Sequence, residues 1–510
     1  MSKKSVITGT LILTAASIIT RFMGFFYRVY MSEAIGAEGI GLYQLILPLY
    51  TLAWSITSAG FTTTISHLTA QENIRGESGN IGRIVKLSIF FSLLVSLLVA
   101  CGLFFFANEI AICFLKDIRA AISLQLLAFA IPFMAMGSCF RGFFLGMQSP
   151  SIPAMSQVLE QSIRMIAIFL FAGFLVPYGL GYACLAAVIG ILLGEAASCV
   201  FVAVNYTYFK RRRKLIRPPV LGRLSACRMV LAMAIPLSAT RVAGSALAAL
   251  ENVLIPRQLQ LYGQNATEAL SNYGELMGMA LPLIMLPSAC LTAASVSLVP
   301  EISSACAIRQ NTRINQTISV TFLFTFIVGI GSAAFFAVFP KEICYIVYNR
   351  PNLGGLLFPL AFLCPFLYAQ TTLHGLLNGL EEQMFLFVSN LLSSLIAIAF
   401  VYFLMPLYGI DAFLWGWAIS LIFAVVTCLI KLYQRTGIVP QLGSCFFKPM
   451  LAGAASGLFI RYIVQIGTPS KLFFLCCFLG MGLLYLLFLL LLGCFSRENM
   501  DILFGKTIKR

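Results

Sequence analysis

Two arginines lie inside the first long apolar stretch of the chain, Ser17 to Tyr50. Arg21 and Arg28 are seven residues apart, so on a helix they project from nearly the same face, with Gly24 between them. Arginine stays charged and carries a planar fork of donors that matches phosphate oxygens. Because a charge at mid-membrane depth is costly, two on one face indicate a functional role and predict an anion site.

Other polar side chains repeat along single helix faces of the N-terminal half. Three stripes occur, in three predicted helices: Gln44, Thr51, Ser55, Ser58 and Thr62; Gln157, Glu160, Gln161 and Arg164; and Ser238, Arg241, Ser245 and Asn252. A helix needs no polar stripe to lie in lipid, so several stripes suggest helices around a water-filled cavity. The alternative is that hydroxyls bond back to their own helix and glutamines link neighbouring helices.

These patterns predict a substrate-binding site for an anion, and a diphosphate is the obvious fit. Its candidate residues are Arg21, Arg28, Arg241, Gln44 and Ser55. The alternative for the arginines is internal ion pairing with the acidic residues of the predicted spans, which are Glu195, Glu251 and Glu275. Both arrangements could hold in alternate states of a transport cycle.

A second group of residues could gate the protein or couple it to an ion. Its members are Glu160, Arg164, Glu195, Glu251, Glu275, Arg141 and His374. Glu160 and Arg164 are four residues apart and can pair along their own helix, or exchange partners as a gate. Arg141 is expected to snorkel or to line an inner gate. His374 could sense protons, although a lone histidine can equally be a hydrogen-bonded helix contact.

Motifs for soluble catalysis are absent from the sequence. It contains no GxxxxGK[ST], HExxH or GxSxG motif and no paired metal-ligand spacing. We therefore predict no catalytic residue, no metal site and no cofactor, and hence not an enzyme. A transport cycle would draw on an ion gradient or the membrane potential, which is worth about 2.3 kcal/mol per charge per 100 mV.

The composition specifies the kind of element that must position these residues. The chain of 510 residues is 60% hydrophobic and 10% charged, whereas soluble proteins carry roughly 25% charged residues. Long apolar runs recur from end to end, which predicts an all-α polytopic membrane protein. The net charge of +16 is attributed to lysine and arginine in cytoplasmic loops and does not indicate nucleic-acid binding.

Apolar runs divide the sequence into about fourteen predicted transmembrane helices. They cover residues 5–31, 40–70, 81–107, 120–146, 151–176, 179–209, 226–256, 268–297, 314–339, 355–379, 383–405, 410–433, 446–466 and 470–494. Lysine and arginine concentrate at both termini and in every second junction, most strongly in Lys210–Arg228. By the positive-inside rule this predicts a multi-pass protein of the bacterial plasma membrane with both termini cytoplasmic.

The two halves of the chain resemble each other. The same spacing separates a proline, a polar residue and a glycine in the fourth and tenth spans: Pro132, Arg141 and Gly146, and Pro365, His374 and Gly379. This predicts two pseudo-symmetric six-helix lobes of the same orientation, 1–209 and 226–433, with two further helices in 434–510. The basic linker 210–225 binds anionic lipid or a cytoplasmic partner, or serves only as a topogenic connection.

At residues 19–61 the sequence ITRFMGFFYRVYMSEAIGAEGIGLYQLILPLYTLAWSITSAGF resembles a known family. It is similar to the stage V sporulation protein B and polysaccharide-biosynthesis family of the multidrug/oligosaccharidyl-lipid/polysaccharide (MOP) exporter superfamily, to which the MurJ lipid II flippases are related. The resemblance extends over the whole chain in span count and layout. It implies a MATE-like fold that works by alternating access. Functional arginines of the lipid II flippases lie in spans one, two and eight; Arg21 and Arg28 match span one, and Arg241 in span seven is a candidate substitute.

The resemblance implies that the chain flips an undecaprenyl-diphosphate-linked oligosaccharide to the outer leaflet. The predicted cargo is a peptidoglycan precursor such as lipid II, used in spore cortex or cell-wall synthesis. Membrane lipids and cell-wall synthesis proteins are the expected partners, and a monomer the expected state. One alternative is a drug or organic-cation antiporter, whose site should favour carboxylates and aromatics. Another is an intramembrane enzyme acting on polyprenyl-linked sugars, which would need a catalytic base near a membrane face.

Overall fold

The computed structural model describes residues 3–212, 220–292, 311–437, 442–466 and 470–494. Within these ranges the chain forms helices and no β-strand, so the predicted all-α class is confirmed. The α-helices are α1 Lys3–Trp54, α2 Gly60–Arg75, α3 Ser78–Phe105, α4 Ala107–Glu109, α5 Ala121–Gly146, α6 Ser151–Leu175, α7 Leu180–Arg212, α8 Arg223–Leu261, α9 Ala266–Tyr273, α10 Leu281–Met285, α11 Asn311–Val338, α12 Pro340–Tyr348, α13 Gly354–Ala361, α14 Cys364–Gly379, α15 Gln383–Phe403, α16 Met405–Tyr408, α17 Ile410–Thr436, α18 Leu442–Ile466 and α19 Lys471–Leu491. Short π-helices cover Ser55–Ala59 and Gly274–Ala280.

Ten helical segments in the described residues are long and apolar enough to cross a membrane. The number becomes 11 if the pair Pro351–Ala361 and Cys364–Gly379, bent by 56°, forms one span. The chain is therefore a multi-pass membrane protein, and the count of about fourteen spans stays a prediction.

The first of these segments, Ile12–Arg75, is 64 residues long. As a straight helix it would extend about 96 Å, roughly three times the ~30 Å hydrocarbon core of a bilayer. The backbone leaves the helical region at Gly36, where φ is 71° and ψ is −179°. Positive φ is readily adopted only by glycine. The break lies between predicted spans 5–31 and 40–70, where a hairpin is expected.

The described contacts divide the chain into two compact units, Met1–Gly278 and Met279–Arg510. The first unit contains the six helices predicted for the first lobe and also α8 and α9. Gly60 lets α2 pack closely against α8, because a β-carbon at this position would overlap the Ala234 carbonyl of α8. The division into lobes 1–209 and 226–433 stays a prediction.

Each unit has its own apolar core. In the first unit, buried side chains of α2, α3, α5, α7 and α8 pack together, among them Ile65, Ile84, Val85, Phe143, Phe144, Val202 and Val230. In the second unit, α11, α14 and α17 supply most of the core, including Ile318, Phe322, Leu373, Leu376, Cys428 and Leu432. The first core holds α5 and α7 in place, and these helices carry part of the candidate site.

Candidate functional site

A cavity of about 480 Å³, lined by polar, charged and apolar side chains, lies within the first unit. Side chains from α1, α2, α5, α6 and α7 line it: Leu13, Tyr50, Thr51, Trp54, Thr62, Ser138, Arg141, Leu145, Pro153, Gln157, Glu160 and Glu195. Six of the predicted polar or charged candidates therefore meet at one place: Thr51, Thr62, Arg141, Gln157, Glu160 and Glu195. Its volume is within the range of small-molecule sites, about 300–1,000 Å³.

Helix periodicity and two glycines explain why α6 and α7 present charge to this cavity. Pro153, Gln157 and Glu160 follow one another at intervals of four and three residues, which places them on one face of α6. A β-carbon at Gly194 of α7 would stand 2.8 Å from the Glu160 carbonyl, and one at Gly190 would stand 3.0 Å from the carbonyl of Arg164. The missing side chains let the two backbones approach closely, as small residues do in membrane helix packing.

Glu160 is the centre of a charge network. Its Oε1 lies 3.0 Å from Arg164 Nη2, the within-helix pair that their spacing allows, and its Oε2 lies 3.5 Å from Arg141 Nη1. Arg141 also donates to Ser198 Oγ at 3.2 Å and to Ser138 Oγ at 3.0 Å. The three charged side chains are only 14–17% exposed. Charges so deeply buried require partners, because an isolated ion in a low-dielectric interior costs several kcal/mol.

Glu195 faces the same cavity from α7 and is 3% exposed. The hydroxyl of Tyr50 on α1 donates a hydrogen bond to Glu195 Oε1. Oε2 is buried and has no hydrogen-bond partner in the described part of the chain. One carboxylate oxygen is therefore fixed in position, and the other is left to interact with whatever enters the cavity.

Arg21 and Arg28 do not line this cavity. Arg21 is exposed and Arg28 half-buried, and neither forms an ion pair with any residue in the described ranges. A β-carbon at Gly24 would stand 3.3 Å from the amide nitrogen of Gln161, so the face between the arginines runs along α6. That helix also carries Glu160, and the role of the two arginines in anion binding stays a prediction.

Arg241 approaches the cavity from α8. Its guanidinium carbon lies 6.0 Å from the centre of the Trp54 ring, within the range of a cation–π interaction. Trp54 itself lines the cavity. The Arg241 side chain is exposed. This places a third arginine next to the cavity wall, on a different helix from Arg21 and Arg28.

Ser55 and Gln44 make contacts between helices. Ser55 is 1% exposed, donates to the Thr51 carbonyl at 2.9 Å and lies 2.6 Å from Ser245 Oγ of α8. Gln44 Nε2 donates to the Met277 carbonyl at 3.3 Å. The bonds to Thr51 and Met277 match the alternative for the polar stripes, in which hydroxyls bond back to their own helix and glutamines link neighbouring helices. Their assignment to substrate binding stays a prediction.

The remaining candidates lie elsewhere. Glu251 on α8 and Glu275 in the π-helix Gly274–Ala280 are both half-buried, and neither is among the cavity-lining residues. His374 belongs to the second unit, where its Nε2 is buried without a hydrogen-bond partner among the described residues. Within the same described ranges, no group of three or more His, Cys, Asp or Glu side chains could hold a metal ion.

Tyr50 and Trp54 are among the cavity residues that the sequence patterns did not single out. Both sit in an apolar run, four residues apart, and each directly precedes a polar residue of the second-span stripe, Thr51 or Ser55. A further signal was present in α7, where Gly190 and Gly194 form the small-xxx-small spacing typical of close helix contacts. That motif would have predicted the approach of a neighbouring helix.

Outside the spans, Glu382 in the turn between α14 and α15 holds the end of α17. Lys431 Nζ lies 3.2 Å from Glu382 Oε2, and Arg435 Nε donates to Oε1. Burial of the carboxyl opposes its charge, but the hydrogen bonds from Lys431 and Arg435 outweigh burial and lower the pKa of Glu382 from its ordinary value. This is an ion-paired anchor of the second unit.

Sequence comparison identifies the relatives of this chain. The family described as "Polysaccharide biosynthesis protein" matches residues 6–306. Stage V sporulation protein B of Bacillus subtilis (strain 168) is 29% identical over 406 residues, which are 79% of this chain and 78% of that protein. The lipid II flippase MurJ of the same organism is 30% identical over 234 residues, which are 42% of this chain and 40% of the flippase.

Solved structures show the same fold. A lipid II flippase MurJ in an inward closed conformation matches with a TM-score of 0.71 at 16% identity, covering 98% of this chain and 99% of the other. An inward-facing MATE family multidrug transporter of the MOP superfamily matches with a TM-score of 0.65 at 13% identity, covering 84% of this chain and 98% of the other. The predicted MOP exporter fold is therefore confirmed.

Proposed function

Because the chain belongs to the polysaccharide biosynthesis protein family, we propose that it is a flippase for a lipid-linked oligosaccharide. Its cargo is an undecaprenyl-diphosphate-linked sugar, a peptidoglycan precursor such as lipid II, which it moves from the cytoplasmic to the outer leaflet. The observation that carries this proposal is the cavity lined by Arg141, Glu160 and Glu195 in a membrane-spanning unit, with Arg164 paired to Glu160 beside it. A relative named lipid II flippase supports the substrate class.

The physical problem of such a transporter is to carry a charged, hydrophilic headgroup through hydrocarbon. A cavity of about 480 Å³ is large enough to receive part of the headgroup. The polyprenyl tail is as apolar as lipid and stays in the bilayer. Hydroxyl, amide and guanidinium groups of Thr51, Gln157 and Arg141 replace the water that the headgroup loses.

Arginines outside the cavity supply the first contact with the diphosphate. Arg21 and Arg28 lie on one face of α1 without an ion-pair partner in the described ranges, and Arg241 lies beside Trp54. Arginine binds phosphate oxygens in a bidentate manner. The headgroup would bind these groups first and then enter the cavity as the protein changes access from one side of the membrane to the other.

Translocation needs no bound cofactor in this scheme. An ion gradient or the membrane potential drives it, because a negatively charged headgroup gains about 2.3 kcal/mol per charge per 100 mV on moving outward. The protein would act as a monomer in the bacterial plasma membrane, with both termini cytoplasmic. Its role would be in spore cortex or cell-wall synthesis, with membrane lipids and cell-wall synthesis proteins as partners.

The drug or organic-cation antiporter is the second candidate, and the MATE family neighbour supports its fold. Two observations favour the anionic cargo. The guanidinium of Arg241 on α8 lies beside the cavity residue Trp54, and Glu160 is already paired with Arg141 and Arg164. The relative named lipid II flippase favours transport over an intramembrane enzyme.

Reconstitution tests the proposal. Purified protein in liposomes should move a fluorescent lipid-diphosphate sugar across the bilayer, and Arg21→Ala or Arg28→Ala should reduce this movement at least about tenfold. The matched control is Arg257→Ala, which removes an exposed arginine near the end of α8. Normal flipping by both α1 variants would refute the anion site. Chemical turnover of the sugar without its movement across the bilayer would support the alternative of an intramembrane enzyme.

A further inference from the structure

Among the cavity-lining side chains of the described residues, Glu195 is the one that has a buried polar atom without a hydrogen-bond partner. It is 3% exposed, Tyr50 donates to its Oε1, and its buried Oε2 has no partner. We propose that Glu195 and Tyr50 form a proton-binding site whose occupancy sets the charge of the cavity, and thereby its affinity for an anionic headgroup. The inference rests on the proposed function, because it assigns a regulator to the same cavity.

The groups around Glu195 come from four helices. Tyr50 faces it from α1, Arg141 from α5, and Glu160 and Arg164 from α6; all four interact with it electrostatically. Cys199, one turn further along α7, also lies within electrostatic range. The charged members are two arginines and two glutamates, and the two arginines are both within 3.5 Å of Glu160.

The protonation state of Glu195 sets the net charge of this cluster. With Glu195 ionised, the two carboxylates balance the two guanidinium groups, so the cluster is neutral. A proton taken from solvent onto Oε2 leaves Glu195 neutral, while Tyr50 continues to donate to Oε1. The cluster then carries one net positive charge, held in a low-dielectric site where its attraction for phosphate is strong. The free acid O–H also becomes a hydrogen-bond donor toward the cavity.

Proton and headgroup binding are therefore linked. If the proton raises the affinity for the anion, the anion must raise the affinity for the proton by the same factor. A headgroup entering the cavity is accompanied by a proton, and loss of that proton weakens its binding and promotes release. The charge on Glu195 thus acts as the switch between a retaining and a releasing cavity.

The test uses the full-length protein in lipid nanodiscs, with undecaprenyl diphosphate as the probe. Dissociation constants are measured at about pH 5.5 and about pH 8, on either side of the neutral range. The ratio of the dissociation constant at the higher pH to that at the lower pH should be about tenfold larger for wild type than for Glu195→Gln. Glu195→Gln should bind the probe tightly at both pH values. Since every variant sees the same ionisation of the probe, the difference between proteins isolates Glu195.

Two further variants sharpen the comparison. Glu109→Gln removes an exposed carboxyl of α4 outside the cavity and should keep the wild-type ratio. Tyr50→Phe removes the donor to the ionised carboxylate and should move the pH midpoint of binding upward. Because Tyr50→Phe keeps the size of the side chain, it also serves if Glu195→Gln fails to fold.

An independent readout is the infrared difference spectrum of the protein without probe between the two pH values. It should contain a protonated-carboxyl band that is absent from Glu195→Gln. A wild-type pH ratio retained in Glu195→Gln, or no such band, would overturn the proton site. Absence of probe binding at both pH values with the band present would overturn the headgroup proposal and leave the proton site standing.

Discussion

Gly194 of α7 lies against the backbone carbonyl of Glu160 on α6, with room for no side chain between them. The contact joins the two helices that supply Glu160 and Glu195 to the cavity. It depends on a residue with no chemistry of its own. The geometry of the charged site therefore rests on helix packing as much as on the charged residues.

Gly194→Ala should separate α6 from α7. Its β-carbon would stand 2.8 Å from Glu160 O, so the helices must shift, which we expect to destabilise the protein by about 1–3 kcal/mol and to lower flipping. The measurement is the thermal unfolding midpoint in nanodiscs, together with the liposome assay. The control is Gly173→Ala on α6, where an added β-carbon would have no atom of a neighbouring element within 4 Å. This substitution should leave the stability of the protein unchanged or raise it by up to about 1 kcal/mol. Equal effects of both variants would contradict the packing role.

The buried pair of Glu160 and Arg164 should show strong coupling. Glu160→Gln leaves Arg141 and Arg164 without their shared carboxylate, which should cost about 3–5 kcal/mol. The double variant Glu160→Gln/Arg164→Gln should lose less than the sum of the two single losses, because it leaves fewer unpaired charges. Denaturant unfolding of all four proteins gives the coupling free energy.

An ion pair with one exposed member provides the comparison for that cycle. Arg461 Nη1 lies 3.2 Å from Glu342 Oε1; the arginine side chain is 47% exposed and the glutamate side chain 15%. Because its arginine is exposed, Arg461→Gln should cost less than Glu160→Gln. Additive single losses at Glu160 and Arg164, within about 0.5 kcal/mol, would show that the network does not act as a unit.

The Glu382 anchor predicts how stability depends on pH. The pKa of Glu382 is lowered in the folded protein despite its burial, because Lys431 and Arg435 hydrogen-bond to the ionised carboxylate. A lowered folded pKa contributes stability that is present above the unfolded value, about 4.3, and is lost as pH falls through the folded value. Acidification should thus remove this contribution.

Thermal unfolding between neutral pH and about pH 3 measures that loss. Glu382→Gln should be less stable than wild type at neutral pH, and the gap should close as the pH falls. Glu381→Gln, its exposed neighbour, should follow the wild-type profile. A gap between wild type and Glu382→Gln that stays constant at every pH would contradict an electrostatic origin.

Several features of the site could be predicted from residue types and spacing. The i, i+4 spacing placed Arg164 within reach of Glu160, and the distance is 3.0 Å. The break in the first apolar stretch falls at Gly36, between the predicted spans. Both are local properties, since a helix relates residues a few positions apart in a fixed way.

Partners from distant parts of the chain could not be predicted in the same way. Ser55 belongs to a polar stripe, yet its hydroxyl contacts Ser245 of another helix. Arg141 was expected to snorkel or to line a gate, and its guanidinium lies in the network with Glu160 and two serines. Periodicity shows which face of a helix is polar, but it does not show which helix covers that face.

By itself the sequence determined the class of the protein: a membrane-spanning, all-helical chain with charges too costly to be accidental, and a resemblance to the exporter family. Only the tertiary structure decided that Tyr50, Arg141, Glu160 and Glu195 meet in one cavity, while Arg21 and Arg28 stay outside it. The physical reason is that hydropathy and helix periodicity are local, whereas a cavity is made by several helices. The distance between these helices is set by packing contacts such as that of Gly194 with the backbone of Glu160, whose partners are far apart in the sequence.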